Sequence, residues 1–224
     1  LTRCSTFVGA FPASALDGAL DGLHRLVERG LAAPEGERVR LPWTVRQAAR
    51  PRCDAAALEQ HARWVIGATD GVWTDHLRRP PHDAVVEGLP WVEDLQAVLR
   101  RDVSAPLRAA AAANLARLLG ARGQMHRVEA LLREAGAAGM GGSASPAARR
   151  CAVLWAQAAT HLGRREGVAA TLRAVLAAGH GDGTEAEAWS ALGTALAMTQ
   201  DGEAEAESAY ERAIAGARAA DLPR

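Results

Sequence analysis

The 224-residue chain is long enough for one large domain or two smaller ones, at roughly 100–200 residues per domain, and can bury a core without a disulfide or metal staple. Its apolar content rests on alanine and leucine, the strongest apolar helix formers, so the composition leans all-α. Formal net charge is zero, which excludes a global pull toward nucleic acid or anionic lipid; lysine is absent, so arginine carries every fixed positive charge.

The opening LTRCSTFVGAF has neither a charged leader region nor a long apolar stretch, so it does not read as a signal peptide. It begins mid-element, as expected of the C-terminal part of a longer protein. In PASALDGALDGLHRLVERGL the apolar residues Leu16, Leu20, Leu23, Leu26, Val27 and Leu31 recur at spacings of three and four, predicting one helix with a single buried face. Gly30 stands where a C-cap would use it. LAAPEGERVRL predicts two short strands around PEGE, with Val39 and Leu41 alternating against arginines. PWTVRQAAR resumes a helix, with Pro42 tolerated in the first turn. Helix, hairpin, helix is the winged-helix order, assigned to residues 1–52.

Every later element is predicted helical. DAAALEQHARWVIGATDGV and PWVEDLQAVLRRDV form a connecting hairpin over residues 53–104, joined by the polar stretch TDHLRRPPHD. After Pro106 the sequence repeats with a period of about 40 residues. LARLLGARGQMHRVEALLREA, AQAATHLGRREGVAATLRAVL and ALGTALAMTQDGEAEAESAYERAI each read as helix, tight turn, helix. Their second helices carry the apolar triplets Val128, Leu132, Ala135; Val168, Leu172, Val175; and Ala206, Tyr210, Ala213. Glycine-rich breaks, GAAGMGGSASP and AAGHGDGT, separate the units, and GAAGMGGSAS is expected to be a flexible linker. A lone helical hairpin cannot bury its apolar face, whereas stacked neighbours can, so residues 105–224 are assigned to helical repeats.

The third unit resembles a tetratricopeptide repeat. Trp189, Leu192 and Gly193, followed by Ala206, Tyr210 and Ala213, match that family's W…LG…A…Y…A pattern, with about one extra residue in the turn. In the first two units Leu115 and Trp155 take the place of Leu192, with Ala116 and Ala156 for its glycine. The resemblance implies a mainly α, tetratricopeptide-like solenoid with a concave groove facing Arg117, Arg150, Gln157, His161, Ser190 and Thr194. Arginines there would suit a carboxylate, such as a peptide's C-terminus.

The segment LVERGLAAPEGERVRLPWTVRQAAR, followed by EQHARWVIGATD, resembles the part of bacterial STAND-type signalling ATPases and related regulators where a winged-helix module passes into helical repeats. In that family a Met-His-Asp-like triplet opens the last helix and senses nucleotide. Leu41, Pro42 and Trp43 stand at those positions, and the GxxxxGK[ST] phosphate loop is absent, so neither nucleotide sensing nor ATP hydrolysis is expected of this chain.

Other residue patterns favour plain structural roles. His76 and His82, with Asp75 and Asp83, sit in a polar connection that does not hold ligands in register. His61 is expected to be structural or at the surface beside Trp64. The carboxylates of EAEAWS and GEAEAES lie near helix starts, where negative charge offsets the helix dipole. Cys4, Cys53 and Cys151 contain no CxxC pair and read as reduced thiols, as in a cytoplasmic protein. No metal or cofactor is expected.

These readings point to a non-catalytic regulatory scaffold that binds a protein or peptide partner, the sensor arm of a STAND-like signalling or transcriptional regulator. The alternative is a DNA-binding regulator whose contacts come from Arg25, Arg29, Arg38 and Arg40, backed by Arg46, Arg50 and Arg52; Asp17, Asp21 and Glu28 oppose that charge. A hydrolase with an unmarked site is the third class.

Overall fold

The computed structural model describes residues 2–16, 20–76, 81–179, 184–199 and 202–219. Where apolar residues recur at helical spacing the chain is helical, and a small three-stranded sheet lies near its N-terminus.

A short helix α1 (Thr2–Ser5) leads to strand β1 (Phe11–Pro12) and a 3-10 turn over Ala13–Leu16. Helix α2 spans Leu20–Glu28, shorter than its apolar pattern predicts, because Leu16 is buried from the preceding 3-10 turn instead. Its end is the expected glycine cap. Gly30, at φ 67°, donates its N–H to Val27 O, and Leu31 N donates to Leu26 O at 2.8 Å, the paired bonds of a Schellman motif.

Strands β2 (Ala33–Glu35) and β3 (Arg38–Arg40) form the predicted hairpin, with Ala33 opposite Arg40 and Glu35 opposite Arg38. The sheet has a third strand that the alternation pattern did not show. β1 pairs antiparallel with β3, placing Phe11 opposite Val39, and the order is β1-β3-β2. Two residues are too few for a period to register.

Helix α3 (Trp43–Ala49) begins just after Pro42, which sits at the N-cap. Helix α4 runs Ala55–His76 and α5 runs Pro81–Gly88, so most of the stretch read as a polar connection is helical. Proline at a helix start loses no intrahelical hydrogen bond, which is why Pro81 opens a helix there. His76 ends α4 and His82 lies in α5, while residues 77–80 and the side chains of Asp75 and His76 lie outside the described residues.

Helices α6 (Val92–Arg100), α7 (Ala105–Ala121), α8 (Met125–Glu134), α9 (Pro146–His161), α10 (Val168–Ala178), α11 (Thr184–Ala197) and α12 (Glu203–Ala219) follow. Helices α4, α7, α9 and α11 pack side by side in that order, while α6, α8, α10 and α12 each pack on the helix they follow in sequence or on its neighbour. The close approach follows from small residues: Ala111, Ala112, Ala113 and Ala116 of α7 and Ala152, Ala156 and Ala158 of α9 are almost wholly buried. Leu95, Leu118, Leu132, Leu172 and Leu192 fill the spaces between helices, each burial contributing roughly 1.5–3 kcal/mol. Buried polar ties also cross the row. Asn114 of α7 donates to Thr69 Oγ1 of α4 at 2.8 Å, and the Cys151 thiol of α9 donates to Ala109 O at 3.2 Å.

Packing departs from the repeat pattern in three places. Trp189 is only partly buried, with the Arg212 guanidinium 4.6 Å over its ring, and Tyr210 is exposed because no further helix covers α12 among the described residues. The GAAGMGGSASP break is packed rather than flexible. Ala137 is fully buried, Thr171 Oγ1 donates to Ala138 O at 3.0 Å, and buried Arg149 donates to Ser143 O at 2.8 Å. Gly141 makes this possible, since a Cβ there would lie 2.6 Å from Thr171 O. Most of the second break, residues 180–183, lies outside the described residues.

Candidate functional site

The row α4–α7–α9–α11 presents one charged residue from each helix to a shared face. Arg117 of α7 donates to Glu187 of α11 at 3.2 Å, spanning α9. Arg150 of α9 lies 3.9 Å from Asp70 of α4, spanning α7. The two pairs interdigitate and act on one another. Burial lowers the Arg117 pKa; Glu187 and Asp70 oppose that effect, and Arg150 adds to it.

Both predicted groove arginines are therefore brought together, but each is already matched by a carboxylate of the same chain. Each carboxylate is well over a third exposed. Both pairs are thus open to solvent on their acidic side, where an incoming carboxylate could compete for the arginines.

The remaining groove residues do not join this cluster. Gln157, His161 and Ser190 are exposed. Thr194 is exposed but turned to its own hairpin, donating to Ser190 O and accepting from the Tyr210 hydroxyl at 3.2 Å. Sequence reasoning missed Asp70 and Glu187. Glu187 was read only as a charge near a helix start, and nothing local distinguishes it from Glu185.

The residues expected to meet nucleic acid are dispersed. Arg25 and Arg29 are exposed on and just after α2, with Arg25 Nε donating to Asp21 O at 3.4 Å. Arg40 is held by Glu35 at 2.7 Å. Arg38 turns inward, its guanidinium 3.9 Å over the Trp91 ring, and burial lowers its pKa against the opposing pull of Asp94 and Glu35. The hairpin arginines thus spend their charge within the chain.

A buried polar hub joins the N-terminal segment to α4 and α6. Asp94, wholly buried, accepts from Val8 N at 2.7 Å, Gly9 N at 3.3 Å and His61 Nε2 at 3.1 Å. Arg101 donates to His61 Nδ1 at 3.1 Å and to Thr6 O at 2.6 Å. These contacts set the tautomer: His61 carries its proton on Nε2 and is neutral, and burial lowers its pKa. Both ring nitrogens are occupied, so His61 has no free site for acid–base work. The expectation of a structural histidine beside Trp64 fits this placement, with Phe7 edge-on to both rings.

The cavities beside these elements include the following two. One of about 480 Å³ between α6, α7 and α8 has an apolar floor that includes Leu99, Leu115, Leu119 and Leu131. The other, about 260 Å³, lies between the N-terminal segment, α3 and α6. Among the described residues no group of three or more His, Cys, Asp or Glu side chains is placed to hold a metal, and no helix is long and apolar enough to cross a membrane. No protein-family model, no curated protein and no solved structure matches the chain.

Proposed function

We propose that this chain is a non-catalytic regulatory scaffold that captures a protein or peptide partner through tetratricopeptide-like repeats, in the cytoplasm. It would act as the sensor arm of a STAND-like signalling or transcriptional regulator, with a winged-helix-like module over residues 1–52, a connecting hairpin over 53–104 and repeats over 105–224. The observation that carries this reading is the four-charge cluster of Asp70, Arg117, Arg150 and Glu187, drawn from four successive helices of one row. Such a cluster is preorganised for exchange: a partner's terminal carboxylate takes Arg117 or Arg150, and the displaced Glu187 or Asp70 turns to solvent or to a partner cation. The inward turn of Arg38 and the pairing of Arg40 favour this reading over DNA binding.

The test uses a peptide array with free and amidated C-termini, probed with the intact chain. Glu187→Ala and Asp70→Ala free the arginines and are expected to strengthen capture of free-carboxylate peptides. Arg117→Ala with Arg150→Ala is expected to abolish it. Equal capture of free and amidated peptides, unchanged by the double arginine substitution, would overturn the assignment.

A further inference from the structure

The cavity between the N-terminal segment, α3 and α6 has a composition unlike any other part of the surface described above. Four arginines line it, Arg46, Arg50, Arg100 and Arg101, and no carboxylate does. Two are fixed into its wall. Arg101 is held by its bonds to His61 Nδ1 and Thr6 O, and Arg46 donates one guanidinium nitrogen to Val8 O. The other two, Arg50 and Arg100, are exposed and, among the described residues, make no side-chain hydrogen bond or ion pair.

Like charges gather along this wall. Arg50 and Arg100 both act on Arg101 as like charges, adding to the effect of burial on its guanidinium. The carboxylate that opposes them, Asp94, is committed to Val8, Gly9 and His61. The Nε of Arg46 is buried and has no hydrogen-bond partner. A wall of guanidiniums with no carboxylate among them is stabilised by an incoming anion. Gln47, exposed in the lining, adds a neutral donor.

We propose that this cavity is a binding site for a phosphate group, free or as a small phosphomonoester, gripped by Arg50 and Arg100 against the fixed guanidiniums of Arg46 and Arg101. A dianionic tetrahedral oxyanion offers several acceptors at once and matches planar guanidinium forks approaching from different walls. A cavity of about 260 Å³ admits the phosphate with a small organic group and excludes a folded partner, so the ligand is a small molecule. The site is separate from the charged face of α4, α7, α9 and α11, and its failure leaves the partner-capture reading untouched.

The test is calorimetric titration of the intact chain with inorganic phosphate, and separately with glycerol phosphate and phenyl phosphate. Saturable one-to-one binding is expected, weakened about tenfold by Arg50→Gln and by Arg100→Gln individually, because each variant loses one charge-assisted contact. Arg29→Gln and Arg122→Gln, exposed elsewhere, are expected to leave binding unchanged. The ester arms separate the sources: tighter binding of an ester assigns an organic phosphate, and equal binding assigns the free ion. Melting measurements guard against misfolding, since phosphate should raise the wild-type midpoint and not that of the double variant. No saturation in the wild type, or equal weakening by the distant pair, would overturn the proposal.

Discussion

Replacing Asp94 by alanine strikes the point where three parts of the chain are tied together. The carboxylate is wholly buried and accepts from Val8 N, Gly9 N and His61 Nε2. Its removal leaves three donors without partners and strips Arg101 of the negative charge that opposes its burial. Each stranded donor costs about 1–3 kcal/mol, and breaking one side of a buried charged network costs about 3–5 kcal/mol. These estimates overlap, since His61 belongs to both, so the expected loss is about 3–5 kcal/mol, close to the whole stability of a marginal domain at roughly 5–15 kcal/mol. Asp94→Asn keeps one acceptor and should lose less. Urea unfolding at neutral pH measures the loss, and hydrogen exchange at Val8 and Gly9 locates it, because those amides should open before the α7–α9 core. A loss under about 1 kcal/mol for Asp94→Ala, with Val8 and Gly9 still protected, would refute the reasoning.

His61 supplies a pH test. Burial depresses its folded pKa below the ordinary 6.5, so the unfolded chain binds the proton first as pH falls. Its contribution is fully present above pH 6.5 and is lost as pH falls through the lower folded value; His61→Gln should remove that slope from a urea series. Leu172→Ala, at a fully buried position, should cost about 2–5 kcal/mol by thermal or urea melting, whereas Trp189→Ala should fall below the usual 3–5 kcal/mol because its ring is partly exposed. Gly141→Ala drives a Cβ to 2.6 Å from the Thr171 carbonyl and should cost about 1–3 kcal/mol. Gly193→Ala meets the ring of Tyr210 at 2.9 Å, but that side chain is exposed and can swing away, so a smaller loss is expected in the same melting assay. Burial pushes the Cys151 thiol up to about 11 and raises that of Cys4; a thiol-disulfide reagent should titrate half-exposed Cys53 first in the native chain, with Cys151 following only on unfolding.

The helical content, the hairpin at residues 33–40, the glycine cap at Gly30 and the paired helices after Pro106 were all legible from sequence. Each rests on interactions within a few residues, where spacing of apolar side chains and the backbone freedom of glycine act directly. The repeat pattern also identified Leu132, Leu172 and Leu192 as core, because a side chain on the inner stripe of an amphipathic helix is buried by whichever helix packs there.

The two clusters of charge are different in kind. Arg117 and Glu187 are 70 residues apart, and Arg150 and Asp70 are 80 apart. Asp94 joins Val8 across 86 residues. The sequence placed Arg117 and Arg150 on one face of a helix row, yet whether they stood open or paired depended on where α4 and α11 brought Asp70 and Glu187. The same holds for the arginine-lined cavity. Arg46 and Arg50 looked like backing for a nucleic-acid surface, and only the docking of α6 set Arg100 and Arg101 opposite them. Local periodicity determines which residues become helix and which side turns inward. Coulomb interactions and hydrogen bonds act on distances in space, and for residues this far apart only the packed helices set those distances.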